Sequence, residues 1–345
     1  MGGGSSIHRP TKAKSNSELV SSLRANFESH STPQETNGHY ETAKENISSN
    51  SNGVGTTSTS TPSTQLPYSA WTKPTAPSSS SSSSSDSATL EVPTLDFTTT
   101  ALAEEREQYD ITLKLFYLPS SDTATRAAQT RSALDLVLRE LHMPSIDLLI
   151  VSYPGIYFDE EEDCPDKLST RGPVEATPEE LSSQVETWRT LEALHDEGMV
   201  KRLGLAEFGH DRLQEFVEQV RVRPSVDQIN LRDCCSVPKP LMALAKREYV
   251  ELLVHNDCSN ILPRGTVREL LGPGGAGVLA EGNRAGEKRK EMHGDGNQAV
   301  ERAKRGEALR GEVRPLWVIK YTAVVKNRGV VENKGYFAVA EVGDD

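Results

Sequence analysis

Cysteine, long apolar runs and positive charge are all scarce in this chain, and each shortage excludes a class of protein. Four cysteines in 345 residues, Cys164, Cys234, Cys235 and Cys258, are too few and too irregularly spaced for a disulfide scaffold or a zinc site. No metal is expected, and a reduced, cytoplasmic setting fits. No stretch approaches the roughly 18 apolar residues of a membrane-spanning helix, and the N-terminus lacks the apolar core of a secretory signal. The chain has 38 Lys and Arg against 50 Asp and Glu, a formal charge of −12. With no sustained basic face, nucleic acid is excluded as a partner.

What is abundant is unevenly placed. Residues 1–90 are dominated by Ser, Thr, Asn, Gly and Pro, with an unbroken serine run from Ser78 to Ser85. They hold six basic and six acidic side chains, so the whole negative excess falls on residues 91–345. Such a segment buries too little apolar surface to offset its ordering entropy and reads as a disordered tail. Two details stand out within it. The opening MGGGSS meets the Gly2 and Ser6 pattern for N-myristoylation, which Gly/Ser-rich starts also meet by accident. In SELVSSLRANF, Leu19, Val20, Leu23 and Phe27 share one side of a short helix with Ser17 as a candidate cap; docking onto the barrel or onto a partner and a transient helix in a disordered tail both fit.

From residue 91 the chain alternates between strand-like and helix-like segments. Strands are expected at 110–118, 146–152, 200–206, 225–231 and 250–255, and helices at 125–141, 177–197, 211–220 and 240–248. This βα rhythm predicts a parallel sheet of (β/α)8-barrel type over residues 91–271. The acidic run Asp159 to Lys167 reads as a solvated loop. Residues 272–312, rich in Gly and mixed charge, read as a low-order insertion. Residues 313–345 return to apolar sequence and read as a closing helix followed by one or two strands that complete the barrel.

The stretch ETWRTLEALHDEGMVKRLGLAEF, 186–208, followed by SVDQINL and LMALAKREYVELLV, resembles the aldo-keto reductases, a family of NADPH-dependent barrel enzymes. The resemblance implies a Tyr proton donor tuned by Lys and Asp, and a His at the end of the fourth strand. Lys114 matches that Lys, but Ser152 occupies the His position, and no Asp or Tyr has a counterpart before residue 110. A serine hydroxyl titrates far from neutrality and no local motif supplies it with a base. The Ser-Asn pair that holds the nicotinamide carboxamide is replaced by Ala206-Glu207. Gln228 matches a third carboxamide ligand, His255 stands where an aromatic ring stacks, and Lys334 remains without the Lys-Ser pair of the phosphate site. The resemblance thus implies a vestigial site: no catalytic residue and no cofactor.

Asp227 to Asp257 and Arg314 to Tyr336 resemble a narrower family, the regulatory (modifier) subunits of glutamate-cysteine ligase. That resemblance implies a non-catalytic chain that binds the ligase catalytic subunit, improves its use of substrates and relieves glutathione feedback in glutathione biosynthesis. An NADPH-dependent reductase and a small-molecule sensor reusing the old pocket are the alternatives. Cys234 and Cys235 follow a strand at the face that bears catalytic groups in barrels. They are candidates for an intersubunit disulfide or an oxidant-sensitive thiol, or else small buried residues; the neighbouring Asp233 raises a thiol pKa by like charge and opposes reactivity.

Overall fold

The computed structural model describes residues 16–31, 66–75, 89–158, 177–231, 236–258, 260–280 and 308–343. Its centre is a run of five parallel strands: β3 (Tyr109–Tyr117), β4 (Ile146–Ser152), β5 (Val200–Ala206), β6 (Val226–Ile229) and β7 (Glu251–Val254). Successive strands are joined through helices α2 (Arg126–Leu141), α3 (Leu181–Asp196), α4 (His210–Gln219) and α5 (Lys239–Glu248). Every residue of β4, IDLLIVS, is buried, as expected of a parallel strand covered on both faces. The expected parallel strand run is therefore present, with boundaries within a few residues.

The sheet's first face carries the main core. Tyr109, Ile111, Leu113, Leu115 and Tyr117 alternate along β3, all 0% exposed, and pack with Ala133, Leu134, Val137 and Leu141 of α2. From α3, Trp188 places its ring edge-on against Phe216 of α4 at 5.1 Å and donates its indole N–H to the Val222 carbonyl at 2.8 Å. α3 starts four residues later than expected. Glu179 is drawn into a two-pronged ion pair with the fully buried Arg126, one prong at 2.7 Å, and Glu180 is extended at φ −60°, ψ 142°.

The C-terminal segment corrects the sequence reading. No closing helix forms; instead β8 (Glu312–Val325) and β9 (Val330–Gly343) make a long antiparallel hairpin. Buried positions recur every second residue at Val313, Pro315, Trp317, Ile319, Tyr321, Ala323 and Val325, with Val318 buried on the other face; this pattern, rich in aromatic and β-branched residues, is a period-two signal that wins over helix. β8 pairs antiparallel with the whole length of β3, from Tyr109 opposite Val325 to Tyr117 opposite Trp317. The sheet order is β7-β6-β5-β4-β3-β8-β9, so the described residues form an open, mixed seven-stranded sheet, where a closed eight-stranded parallel barrel was expected. With no parallel strand preceding β3 in the sheet, its edge N–H and C=O groups need another partner, and the hairpin supplies it.

The N-terminal reading also needs correction. Within the expected tail, α1 (Ser17–Ser31) is helical, and β1 (Lys73–Thr75) pairs with β2 (Thr89–Glu91). Leu19 is buried among Phe116, Leu118, Ile261, Leu262 and Val318 on the sheet's second face. Phe27 packs on Trp71 with ring centroids 6.3 Å apart. Burial of the expected apolar stripe thus settles the choice in favour of docking. Around the 272–312 stretch, Val278, Leu279 and Leu309 likewise pack onto α6 (Arg264–Leu271) or beside it. The Gly2 pattern and the acidic run 159–167 lie outside the described residues.

Candidate functional site

The strand registers bring the sequence-predicted residues onto the sheet's second face. Lys114 on β3 lies opposite Ile150 of β4 on one side and opposite Lys320 of β8 on the other. Lys320 in turn lies opposite Tyr336, and Thr322 opposite Lys334. Ser152 shares this face at the end of β4 and is 2% exposed. Gly204 fits between Ile150 and Val226, whose side chains and carbonyl lie 3.0–3.3 Å from where a Cβ would stand, so a side chain there would need its neighbours to give way by a few tenths of an ångström.

Two lysines directly opposite across an antiparallel pair repel each other. Asp257, just beyond β7, answers both: Oδ2 is 3.5 Å from Lys114 Nζ and Oδ1 is 3.1 Å from Lys320 Nζ. Burial pushes the Asp257 carboxyl up, but Lys114, Lys320 and His255 outweigh it and hold the group below the ordinary carboxylate range. The Lys114 ammonium is shifted down, mainly by burial, against the pull of Asp257 and then Glu207. Lys114 Nζ also lies over the Phe116 ring at 5.1 Å.

His255 links this cluster to Glu207. Its Nδ1 accepts from the Asp257 backbone N–H at 3.1 Å, which assigns the ring proton to Nε2. That N–H is directed at the Gln228 backbone carbonyl, 3.2 Å away. Glu207 Oε1 is closer, at 2.7 Å, but off the hydrogen-bond line. Glu207 Oε2 accepts from the Phe158 N–H at 2.9 Å, and the residue holds φ +69° immediately after β5. A left-handed glutamate, 4% exposed, is a strained arrangement that the surroundings must over-determine. Beside it opens a cleft of about 440 Å³, lined by Tyr157, Glu179, Arg212 and Glu215 among others.

Tyr336 shares this face, opposite Lys320. Burial and then the Glu18 carboxylate push its phenol well above the ordinary value; Glu18 Oε2 lies 3.1 Å from its hydroxyl. Lys334 pairs with the same carboxylate, Nζ to Oε1 at 2.6 Å, and through it is tied to α1. Gln228 contributes its backbone carbonyl to the His255 contact.

Sequence reasoning did not single out Asp257, Lys320, Tyr336 or Glu18. The signal for Lys320 and Tyr336 was present in the period-two pattern of β8 and β9, hidden by reading β8 as a helix. Cys234 and Cys235 lie outside the described residues. Cys258 is a half-buried thiol that donates to the Asn260 carbonyl at 3.3 Å. Among the described residues no group of His, Cys, Asp and Glu is arranged to hold a metal ion, and no helix is long and apolar enough to cross a membrane.

A Schizosaccharomyces pombe protein provisionally named glutamate–cysteine ligase regulatory subunit is 27% identical over 235 residues, covering 67% of this chain and 71% of that protein. The glutamate–cysteine ligase regulatory subunits of Rattus norvegicus and Homo sapiens are each 26% identical over 154 residues. Those matches cover 45% of this chain and 45% of each relative, so the chain spans less than half the length of the mammalian proteins it matches. Among solved structures, the aldose reductase of Schistosoma japonicum aligns over 43% of this chain and 46% of its own at 24% identity, with a TM-score of 0.31. The family model for aldo/keto reductases matches residues 95–335. The chain belongs to the aldo/keto reductase family.

Proposed function

We propose that this chain is a non-catalytic regulatory subunit that binds the catalytic subunit of glutamate–cysteine ligase in the cytoplasm, improving its use of substrates and relieving inhibition by glutathione. The observation that carries the reading is the disposition of Lys114. Its counter-charge comes from Asp257, β4 ends on Ser152 in place of a histidine, and burial and then Glu18 hold the Tyr336 phenol protonated. The names of the relatives support a ligase catalytic subunit as the partner.

A regulator can act only through different affinity for two states of its partner, so its effect appears as coupling between subunit binding and ligand binding. Coupling of about 1–3 kcal/mol, roughly 5- to 150-fold, is the usual range. Titrating a catalytic subunit with this chain, while following glutamate dependence and glutathione inhibition, is expected to shift both parameters within that range. Saturating complex formation with neither altered would reduce the chain to a structural companion, and no complex at all would remove the proposal.

The alternative, an NADPH-dependent reductase, is favoured by family membership. The purified chain is expected to oxidise NADPH with aldehydes or ketones no faster than an enzyme-free control. Turnover that disappears in Lys114→Met would restore the reductase.

A further inference from the structure

We propose that Lys320, Lys334 and Tyr336 form a binding site for a small carboxylate ligand, which Glu18 of α1 fills from within the chain. The geometry is that of a bound carboxylate. Its two oxygens meet two different donors, the Lys334 ammonium at 2.6 Å and the Tyr336 hydroxyl at 3.1 Å. Lys320 stands behind them, opposite Tyr336 in the β8–β9 register and with its Nζ 6.0 Å from that ring's centre. It belongs to the charges that act on Glu18.

The ion pairing shows why an anion is needed. Lys114 and Lys320 share the Asp257 carboxylate. Lys334 has its ion pair with Glu18, which comes from α1. A second carboxylate is needed at Lys334 when Glu18 turns away.

The occupant is a small molecule because nothing large has to move. The Glu18 side chain is 50% exposed and that of Lys334 62%, whereas α1 is held elsewhere, through Leu19 and Phe27. Glu18 can therefore turn out to solvent while the helix stays docked. Exposed ion pairs are weak, roughly five-fold at most in occupancy, so a free carboxylate at millimolar concentration competes. The site requires no partner protein and stands apart from the ligase reading.

The test is a titration of the full chain, with tyrosines selectively labelled for NMR, using glutarate as the probe and inorganic phosphate and chloride at matched ionic strength as controls. Glutarate is expected to give a saturable shift of the Tyr336 ring signal. Glu18→Ala, which removes the internal competitor, is expected to tighten the response roughly two- to six-fold. Lys334→Met abolishes it. Should that variant fold poorly, Tyr336→Phe, followed through calorimetry with glutarate, loses the binding instead. Absence of a saturable response in Glu18→Ala overturns the proposal. So does an equal response to phosphate or chloride, which would make the shift simple charge screening.

Discussion

Replacing Asp257 with asparagine is expected to cost about 3–5 kcal/mol of stability, the usual loss when one member of a buried charge pair is removed. The reason lies in the register. Lys114 and Lys320 are directly opposite across β3 and β8, and Asp257 is the carboxylate that contacts both. The Lys114 side chain is 5% exposed and that of Asp257 15%, so water screens little of the repulsion that remains; at Lys320, 32% exposed, it screens more. Restoring balance from the other side, with Lys320→Met in the Asp257→Asn background, is expected to recover a large part of the loss. Urea unfolding of the four chains measures the coupling as a double-mutant cycle. If the double variant is no more stable than Asp257→Asn alone, the lysine pair is not the source of the cost.

The same residue sets an acid dependence. Its folded-state pKa is depressed, so its contribution is complete above the unfolded value of about 3.9 and fades as pH falls through the lower folded value. The stability difference between the natural chain and Asp257→Asn is therefore expected to be flat near neutrality and to shrink below about pH 4.

The parallel half of the fold was open to reading because its strands are continuous apolar runs and its helices have clear apolar stripes, both local patterns. The β8–β9 hairpin was not, because WVIKYTAVV is apolar enough to suit a helix, and its period of two is interrupted at Val318, which is buried on the other face. That one misreading also concealed half of the site, since Lys320 and Tyr336 reach the Lys114 cluster only through strand pairing. Asp257 was quoted within a motif yet given no role, as its partners lie at sequence separations of 143 and 63 residues. Lys114, Ser152 and His255 were found because the family resemblance fixes their places on strands. Their present partners are set by long-range packing, which no local pattern carries.

The second large effect concerns α1. Leu19→Ala and Phe27→Ala remove anchors from two separate apolar clusters, one around Phe116 and Val318 and the other around Trp71 and Val278. Truncations of this kind cost about 2–5 kcal/mol for leucine and about 3–5 kcal/mol for phenylalanine when the site cannot collapse. Eight residues of helix separate the two side chains by about 12 Å, far enough for the effects to add if α1 stays docked. It is not expected to stay. A 15-residue helix is marginal in water on its own, so losing either anchor releases the whole element, and the second substitution then costs little more. Hydrogen exchange over Ser17–Ser31 is expected to accelerate strongly in either single variant, while the β3–β4–β5 amides keep their protection, because neither anchor belongs to the main core. The Trp71 environment, packed on Phe27, is expected to become wetter in step, giving a fluorescence change that Trp71→Phe eliminates. Strictly additive losses would show that α1 remains on the sheet. A concerted loss of protection in β3 would show that the helix is integral to the fold, and that the second face cannot be uncovered without unfolding the chain.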